Sequence, residues 1–310
     1  MRRAAVGIDV GGTKIAGAVV GPDATLFGSE TIATPSPEAG SSATEVLGLI
    51  DRLTGSAGAG GLSVEQIGVG VPEYVTPDGR ITSALVLPSI RELPAVSTCG
   101  LPILIDSDVR CAARAEARFG HGRDLASFLF VVVGTGVSST LVVGGRLWAG
   151  HRGEAIALGE MDVDPALALR AEAPLTVEEQ ASGRAIAAAA EPRRGGGGAH
   201  EMVPRRGVAG ASGDPPAQDG IRSEAEAKAG RIVAGALCGA VALLDPAAVV
   251  VGGGLGASDS EFFGALCEHY RELTRSRPRP PPLLQTRLGS GAGVVGAGLL
   301  ALEGRTDQRP

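Results

Sequence analysis

Apolar runs and their spacing divide the chain into two similar halves. Residues 4–10 (AAVGIDV) form an apolar run that predicts a buried strand. Gly11 and Gly12 then predict a turn, residues 14–20 a second strand and residues 26–32 a third, together a β-meander. After a loop at 35–40, Val46, Leu47, Ile50 and Leu53 recur at helical spacing over residues 43–53. Short strands are predicted at 67–71, ending at Pro72, and at 102–105, followed by the polar run Asp106-Ser107-Asp108. Residues 109–119 predict a helix with Asp108 at or near its N-cap. The opening pattern then recurs: strands at 127–133 and 137–143 flank Gly134-Thr135-Gly136, and Gly144-Gly145 makes a hairpin turn. Further on, helices are predicted at 175–190, 221–244, 258–275 and 294–302, with a strand at 247–251 running into Gly252-Gly253-Gly254 and a proline-rich stop at 278–282. Residues 191–220, rich in Gly, Pro and Arg and without periodicity, read as a flexible surface loop, with an interdomain linker as the rival.

Composition narrows this picture. Hydrophobic residues at 44% and charged residues at 20% are globular values, which excludes disorder over most of the chain. Lys plus Arg total 28 against 34 Asp plus Glu, a net charge of −6, which argues against general binding to nucleic acid or to anionic membranes. Aromatics are only 3%, so the core must be built from Val, Leu, Ile and Ala. Cys99, Cys111, Cys238 and Cys267 are dispersed and form no CxxC or Cys/His cluster, so buried free thiols in a reducing cytosol are expected. The start is too short for a signal peptide and residues 232–244 are too short to cross a bilayer, so a soluble, cytoplasmic protein is expected.

Glycine is the outlier: 48 of 310 residues, about twice the usual share of roughly 7%, and without the G-X-Y period of collagen. Three glycine turns follow apolar strands: Asp9 to Lys14 (with Gly11, Gly12 and Thr13), Gly134-Thr135-Gly136, and Gly252-Gly253-Gly254. Glycines at strand ends let main-chain N–H groups approach an anion, and Thr13 and Lys14 add a hydroxyl and a charge. One such turn alone is more often a tight turn; three together favour phosphate binding. Neither the G-x-x-x-x-G-K-[ST] loop nor a G-x-G-x-x-G opening a helix is present, so P-loop and dinucleotide readings fall.

The segment GIDVGGTKIAGAVV resembles the first phosphate motif of the ROK family of repressors, open reading frames and kinases. The resemblance continues collinearly through GVGVP (68–72), residues 105–123, VVVGTG (131–136), EEQASGRAI (178–186), LLDPAAVVVGGGLG (243–256) and GAGVVGAGLLAL (291–302). It implies an α/β, two-lobed actin-like ATPase fold, with a small lobe at 1–108 plus 292–310 and a larger one at 109–291. It also implies ATP and Mg²⁺ in the cleft, and a possible homodimer. The first strand opens the sequence, so the helix-turn-helix arm of the family's repressors is not expected. Asp108 matches the family's catalytic base; its competing reading is a plain helix N-cap. Asp9 matches the residue placed near Mg²⁺ and its waters, against the reading of a strand-end Asp capping its own turn. The three glycine turns would hold the phosphates and the nucleoside side of ATP.

The acceptor side departs from a typical family glucokinase. Pro-Gly becomes Pro72-Glu73, the Asn before the base becomes Ser107, and Gly-Glu-x-Gly-His becomes Ile156-Ala157-Leu158-Gly159-Glu160. The zinc motif that should follow is missing, since residues 161–177 hold neither Cys nor His, so no zinc site is expected. Glu178 keeps the position of a sugar-contacting Glu, with a solvated first-turn Glu as the rival. Glu73, Ser107, Asp108, Glu160 and Glu178 are therefore the expected acceptor contacts. Replaced hydroxyl partners should reject glucose. The added negative charge of Glu73 and Glu160 suits an aminosugar or cyclitol, which by analogy alone suggests antibiotic metabolism. The rivals are a silent nucleotide- or sugar-binding sensor, a kinase using polyphosphate, and a structural subunit.

Overall fold

A computed structural model of the chain describes residues 2–36, 38–162, 175–190 and 215–304. Strands β1 (Arg2–Val10), β2 (Lys14–Val20) and β3 (Leu26–Ala33) form the expected meander, followed by α1 (Ser42–Ala59), β4 (Leu62–Val71) and β5 (Ile103–Ser107). Helix α2 (Asp108–Phe119) leads to β6 (Ser127–Val133), β7 (Val137–Val143) and β8 (Arg146–Trp148). Then come α3 (Val177–Ala181), α4 (Gly183–Ala190), α5 (Pro215–Leu244), β9 (Val249–Gly252), α6 (Gly253–Gly256), α7 (Glu261–Leu273), β10 (Leu283–Gln285) and α8 (Ala292–Glu303).

The strands form two five-stranded sheets, β3-β2-β1-β4-β5 and β8-β7-β6-β9-β10. In each, the first strand pairs antiparallel with the second and parallel with the fourth. The duplication hinted at by two strand–turn–strand units thus extends to the whole sheet.

Side-chain alternation along the central strands decides the layering. Val6, Ile8 and Val10 of β1, with Ile67, Val69 and Val71 of β4, pack with Val46, Leu49 and Ile50 of α1. Leu129, Val131 and Val133 of β6 face Val233 and Leu237 of α5 and Phe262 and Leu266 of α7. The opposite faces share a middle layer, in which Phe128 and Phe130 of β6 pack with Val109 and Ala113 of α2 and Val295 and Leu299 of α8. The result is α1, sheet, α2 with α8, sheet, α5 with α7.

On the first sheet the middle layer is approached through glycine. A Cβ on Gly7 would lie 2.3 Å from the Val294 carbonyl oxygen, and one on Gly68 would lie 1.8 Å from that of Ala297. Where α2 crosses α8, a Cβ on Gly296 would lie 1.6 Å from the Cys111 carbonyl oxygen. These are main-chain contacts, so no side-chain rotation relieves them.

Several boundaries differ from expectation. The helix expected over 175–190 breaks at Ser182, whose φ of −76° and ψ of 162° are extended. Residues 191–214 of the expected loop lie outside the described residues, but 215–220 already belong to α5 rather than to a loop. Helix α5 is therefore longer than expected. Its stretch Gly220–Leu244 is long and apolar enough to cross a membrane by length and composition, and Val233, Leu237 and Val241 on it are buried in the second core. Strand β10 was not anticipated.

Gly68→Ala is expected to lower the melting temperature by roughly 4–10 °C, since overpacking of this kind costs on the order of 1–3 kcal/mol. Gly55→Ala in α1, where a Cβ meets nothing within 4 Å, is expected to be neutral or slightly stabilising. Equal thermal shifts for the two variants would rule out main-chain contact as the constraint.

Candidate active site

Two carboxylates meet where the middle layer reaches the cleft between the sheets. Asp9 sits near the end of β1 on the side facing α8, and a Cβ on Gly293 would fall 2.4 Å from its carboxyl group. Asp108 is the first residue of α2; the N-cap is Ser107, whose hydroxyl accepts from Arg110 N–H at 3.4 Å. Gly70 of β4 admits this turn, since a Cβ there would lie 3.3 Å from Asp108 Cα. Asp108 Oδ1 accepts from Val109 N–H at 2.7 Å.

Both carboxyl groups are held above the usual range. Burial raises Asp9 to about 6 against the opposing charge of Lys14. Burial and then the neighbouring Asp9 charge raise Asp108 to about 7, against the opposing Val109 N–H and Arg110. Helix N-termini favour anions by up to ~2 kcal/mol, and here that effect loses to desolvation and like charge. Both residues keep partial exposure, so the carboxyls are crowded yet reachable.

Gly11, Gly12, Gly134, Thr135 and Gly136 line a cleft of about 430 Å³ with Asp108, a volume within the usual range for small-ligand sites of ~300–1,000 Å³. A Cβ on Gly12 would lie 3.7 Å from Thr135 Cγ2, and one on Gly134 would lie 3.7 Å from Gly254 N. The three glycine turns therefore converge, but Gly252, Gly253 and Gly254 stand behind the second turn and do not line the cleft. Nor do Thr13 and Lys14, which are exposed. The second turn is braced from behind. Gly134 accepts from Gly183 N–H at 2.7 Å, and Glu178 Oε2 accepts from Val137 N–H at 2.9 Å. Arg184 donates to Glu178 Oε1 at 2.8 Å and to the Thr135 carbonyl at 3.2 Å. Glu178 thus lines the cleft while serving this turn.

The residues fit a magnesium ion held mainly by phosphates. Asp9 is a part-buried carboxyl raised by burial and only partly offset by Lys14, and Mg²⁺ typically takes one or two carboxylates and keeps several waters. Among the described residues no group of three His, Cys, Asp or Glu side chains is placed to hold a metal ion. Residues 163–174, most of the segment from which the zinc motif is missing, lie outside them.

Two expected acceptor contacts are engaged by the protein's own groups. Glu73 lines the cleft wall, but its carboxylate accepts from the Ser83 hydroxyl and from Leu85, Val86 and Leu87 N–H, the three main-chain bonds at 2.8–2.9 Å. A carboxylate offers about four lone-pair sites, and these four donors occupy them, so Glu73 clamps the 83–87 loop. Ser107 is wholly buried beneath the cleft and caps α2. Glu160 is exposed at the cleft wall and accepts from the Tyr74 hydroxyl. The sequence reading missed Tyr74, whose phenol is raised by burial and then by Glu160. It also missed Arg184 and the buried Arg110. A recurrent charge among the alanines of α2 was the available signal for Arg110; Tyr74 carried none.

The ROK family profile matches residues 5–304. A glucokinase of Streptomyces coelicolor is 28% identical over 324 residues, covering 96% of this chain and 97% of the relative. An N-acetylmannosamine kinase of Escherichia fergusonii is 31% identical, covering 95% and 97%. The crystal structure of a ROK family glucokinase from Streptomyces griseus, in complex with glucose and AMPPNP, superposes with a TM-score of 0.75 at 25% identity, covering 97% of this chain and all of that one. The two-lobed fold expected from the sequence is that of these neighbours.

Because Asp108 is raised in the folded chain, its contribution to stability is present at low pH and is lost as pH rises through about 7. Asp108→Asn cannot ionise. Its gain in melting temperature over wild type should be smallest near pH 4.5, grow towards pH 7 and level off above, which differential scanning calorimetry of the unliganded protein reads. A pH-independent difference would mean that Asp108 titrates normally.

Proposed function

The chain belongs to the ROK family, and we propose that it is an ATP-dependent kinase that phosphorylates a hydroxyl group of a sugar-like acceptor other than plain glucose. The observation that carries the reading is Asp108, raised to about 7 beside a cleft whose opposite wall is made of glycine turns. A general base works best near the operating pH. In this reading the acceptor oxygen forms a bond to the γ-phosphorus, the bond to the β-phosphate oxygen breaks, and Asp108 takes the hydroxyl proton. The first two glycine turns place main-chain N–H groups against the phosphates, and Glu178, Gly183 and Arg184 keep the second turn in shape. Asp9 would hold Mg²⁺ through water, and the ion when bound neutralises charge on the transferring group. The small lobe comprises residues 1–108 with 292–310, and the larger lobe 109–291.

The acceptor side supports a substrate with a positive or strongly donating group. With Glu73 committed to its loop, Glu160 is the anion presented at that wall, one oxygen held by Tyr74. An aminosugar is the acceptor we favour; a cyclitol fits the same wall through its hydroxyls.

ADP release with Mg-ATP should be screened over glucose, mannose, N-acetylmannosamine, glucosamine and inositol. Glucosamine or inositol should exceed glucose, and Asp108→Asn should lower kcat by about 10²–10⁴-fold, the usual worth of a general base. Glucose as the best acceptor would overturn the acceptor reading. A thermal shift with Mg-ATP but no turnover would mark a sensor. If glucosamine turns over, Glu160→Gln should raise its KM about tenfold, roughly 1.4 kcal/mol, and leave neutral acceptors within twofold.

A further inference from the structure

Arg110 is the largest wholly buried side chain among the described residues. A buried guanidinium is tolerable only when its donors are met. Nε donates to Asp106 Oδ1 at 2.5 Å, Nη1 to the Gly153 carbonyl at 3.0 Å and Nη2 to the Val75 carbonyl at 2.6 Å. The two carbonyls belong to different lobes. Val75 is buried in the core of the first sheet. Gly153 lies in a segment tied to the second sheet, where the Ile156 carbonyl accepts from Ser139 N–H at 3.1 Å and from the Ser138 hydroxyl at 3.0 Å.

The two segments touch through their main chains. Gly153 has a φ of +86°, and a Cβ there would lie 2.0 Å from the Val75 carbonyl oxygen. The same segments form the acceptor walls, since Tyr74 precedes Val75, and Glu160 follows Gly153 by two short turns and meets Tyr74 across the gap. Arg110 is also two residues beyond Asp108 on α2, so one side chain fixes both walls relative to the carboxyl between them.

We propose that Arg110 is a positioning residue for the acceptor: it sets the separation of the two cleft walls around Asp108, and its loss weakens acceptor binding without weakening nucleotide binding. This rests on the kinase reading above. Lysine at this position would keep the charge facing Asp106 but could not reach both carbonyls from one planar fork.

Arg110→Lys is compared with wild type in two ways. Hydrogen–deuterium exchange of the unliganded protein should quicken in peptides covering 72–83 and 149–157 and stay unchanged in β6 and α8. In steady-state assays with the best of glucose, glucosamine and N-acetylmannosamine, KM for the sugar should rise at least fivefold while KM for ATP stays within twofold. Gly153→Ala pushes the walls apart while keeping the guanidinium at 110, should give the same split, and carries the test if Arg110→Lys does not fold. Exchange that quickens throughout both lobes, a parallel rise in both KM values, or no change at all would overturn the proposal. If wild type turns over none of the sugars, the kinase reading fails, and exchange confined to the two walls still decides whether Arg110 anchors them.

Discussion

Helices α2 and α8 lie between the two sheets in main-chain contact with β1, with β4 and with each other, and the rest of the structure depends on that contact. It needs hydrogen where a side chain would stand: Gly7, Gly68 and Gly296 each leave less than 2.4 Å between a would-be Cβ and a carbonyl oxygen. The excess of glycine in the sequence is thus as much a packing requirement as a supply of phosphate turns. The same closeness sets the electrostatics, because Gly70 lets the first turn of α2, which carries Asp108, come up to β4, and Gly293 lets the first turn of α8 come up to Asp9. Glu116, wholly buried near the far end of α2, accepts from His121 N–H at 2.8 Å and from the Thr286 hydroxyl at 2.8 Å. It thereby ties together the two connections that pass between the sheets.

The polar residues around the cleft mostly shape main chain. Glu73 gathers the 83–87 loop, Glu178 and Arg184 brace the second glycine turn, and Arg110 joins the walls. Buried polar groups satisfied in this way specify one arrangement of a loop. Among the described residues, Asp108, Glu160 and the first two glycine turns line the cleft without being committed to a loop in this way. A cleft of this kind arrives largely preorganised, with like charge stored at the point where the phosphoryl group and its counterion would sit.

Much of this was legible in the sequence. An apolar run located β6 to the residue, because a strand buried on both faces reads as an unbroken run, and the flanking glycine turns bounded β7. The glycine turns were legible because glycines at strand ends stand out in the sequence, whereas the roles expected of Asp9 and Asp108 came from the family resemblance. What was not legible depends on tertiary partners. Nothing in the sequence says that Glu73 would find four donors ten to fourteen residues away, or that Ser107 would turn inward. The helical pattern breaks at Ser182-Gly183, where Gly183 N–H donates to the Gly134 carbonyl at 2.7 Å, a partner 49 residues away. Tyr74 and Glu160 are 86 residues apart and meet only once the lobes are assembled.

The pairing of two raised carboxyls is the physical core of the site, and a titration of carboxyl ¹³C shifts by NMR reads it directly. In the unliganded protein two aspartates should titrate between about 6 and 7 as a coupled pair. Adding Mg-ADP should move at least one of them down, towards the usual carboxylate range. In Asp108→Asn one of the two titrations should vanish and the other fall, as the repulsion is removed. Aspartates that all titrate near or below 4.5, with or without Mg-ADP, would contradict the crowding of Asp9 against Asp108 and with it the assignment of Asp108 as a base poised near neutral pH.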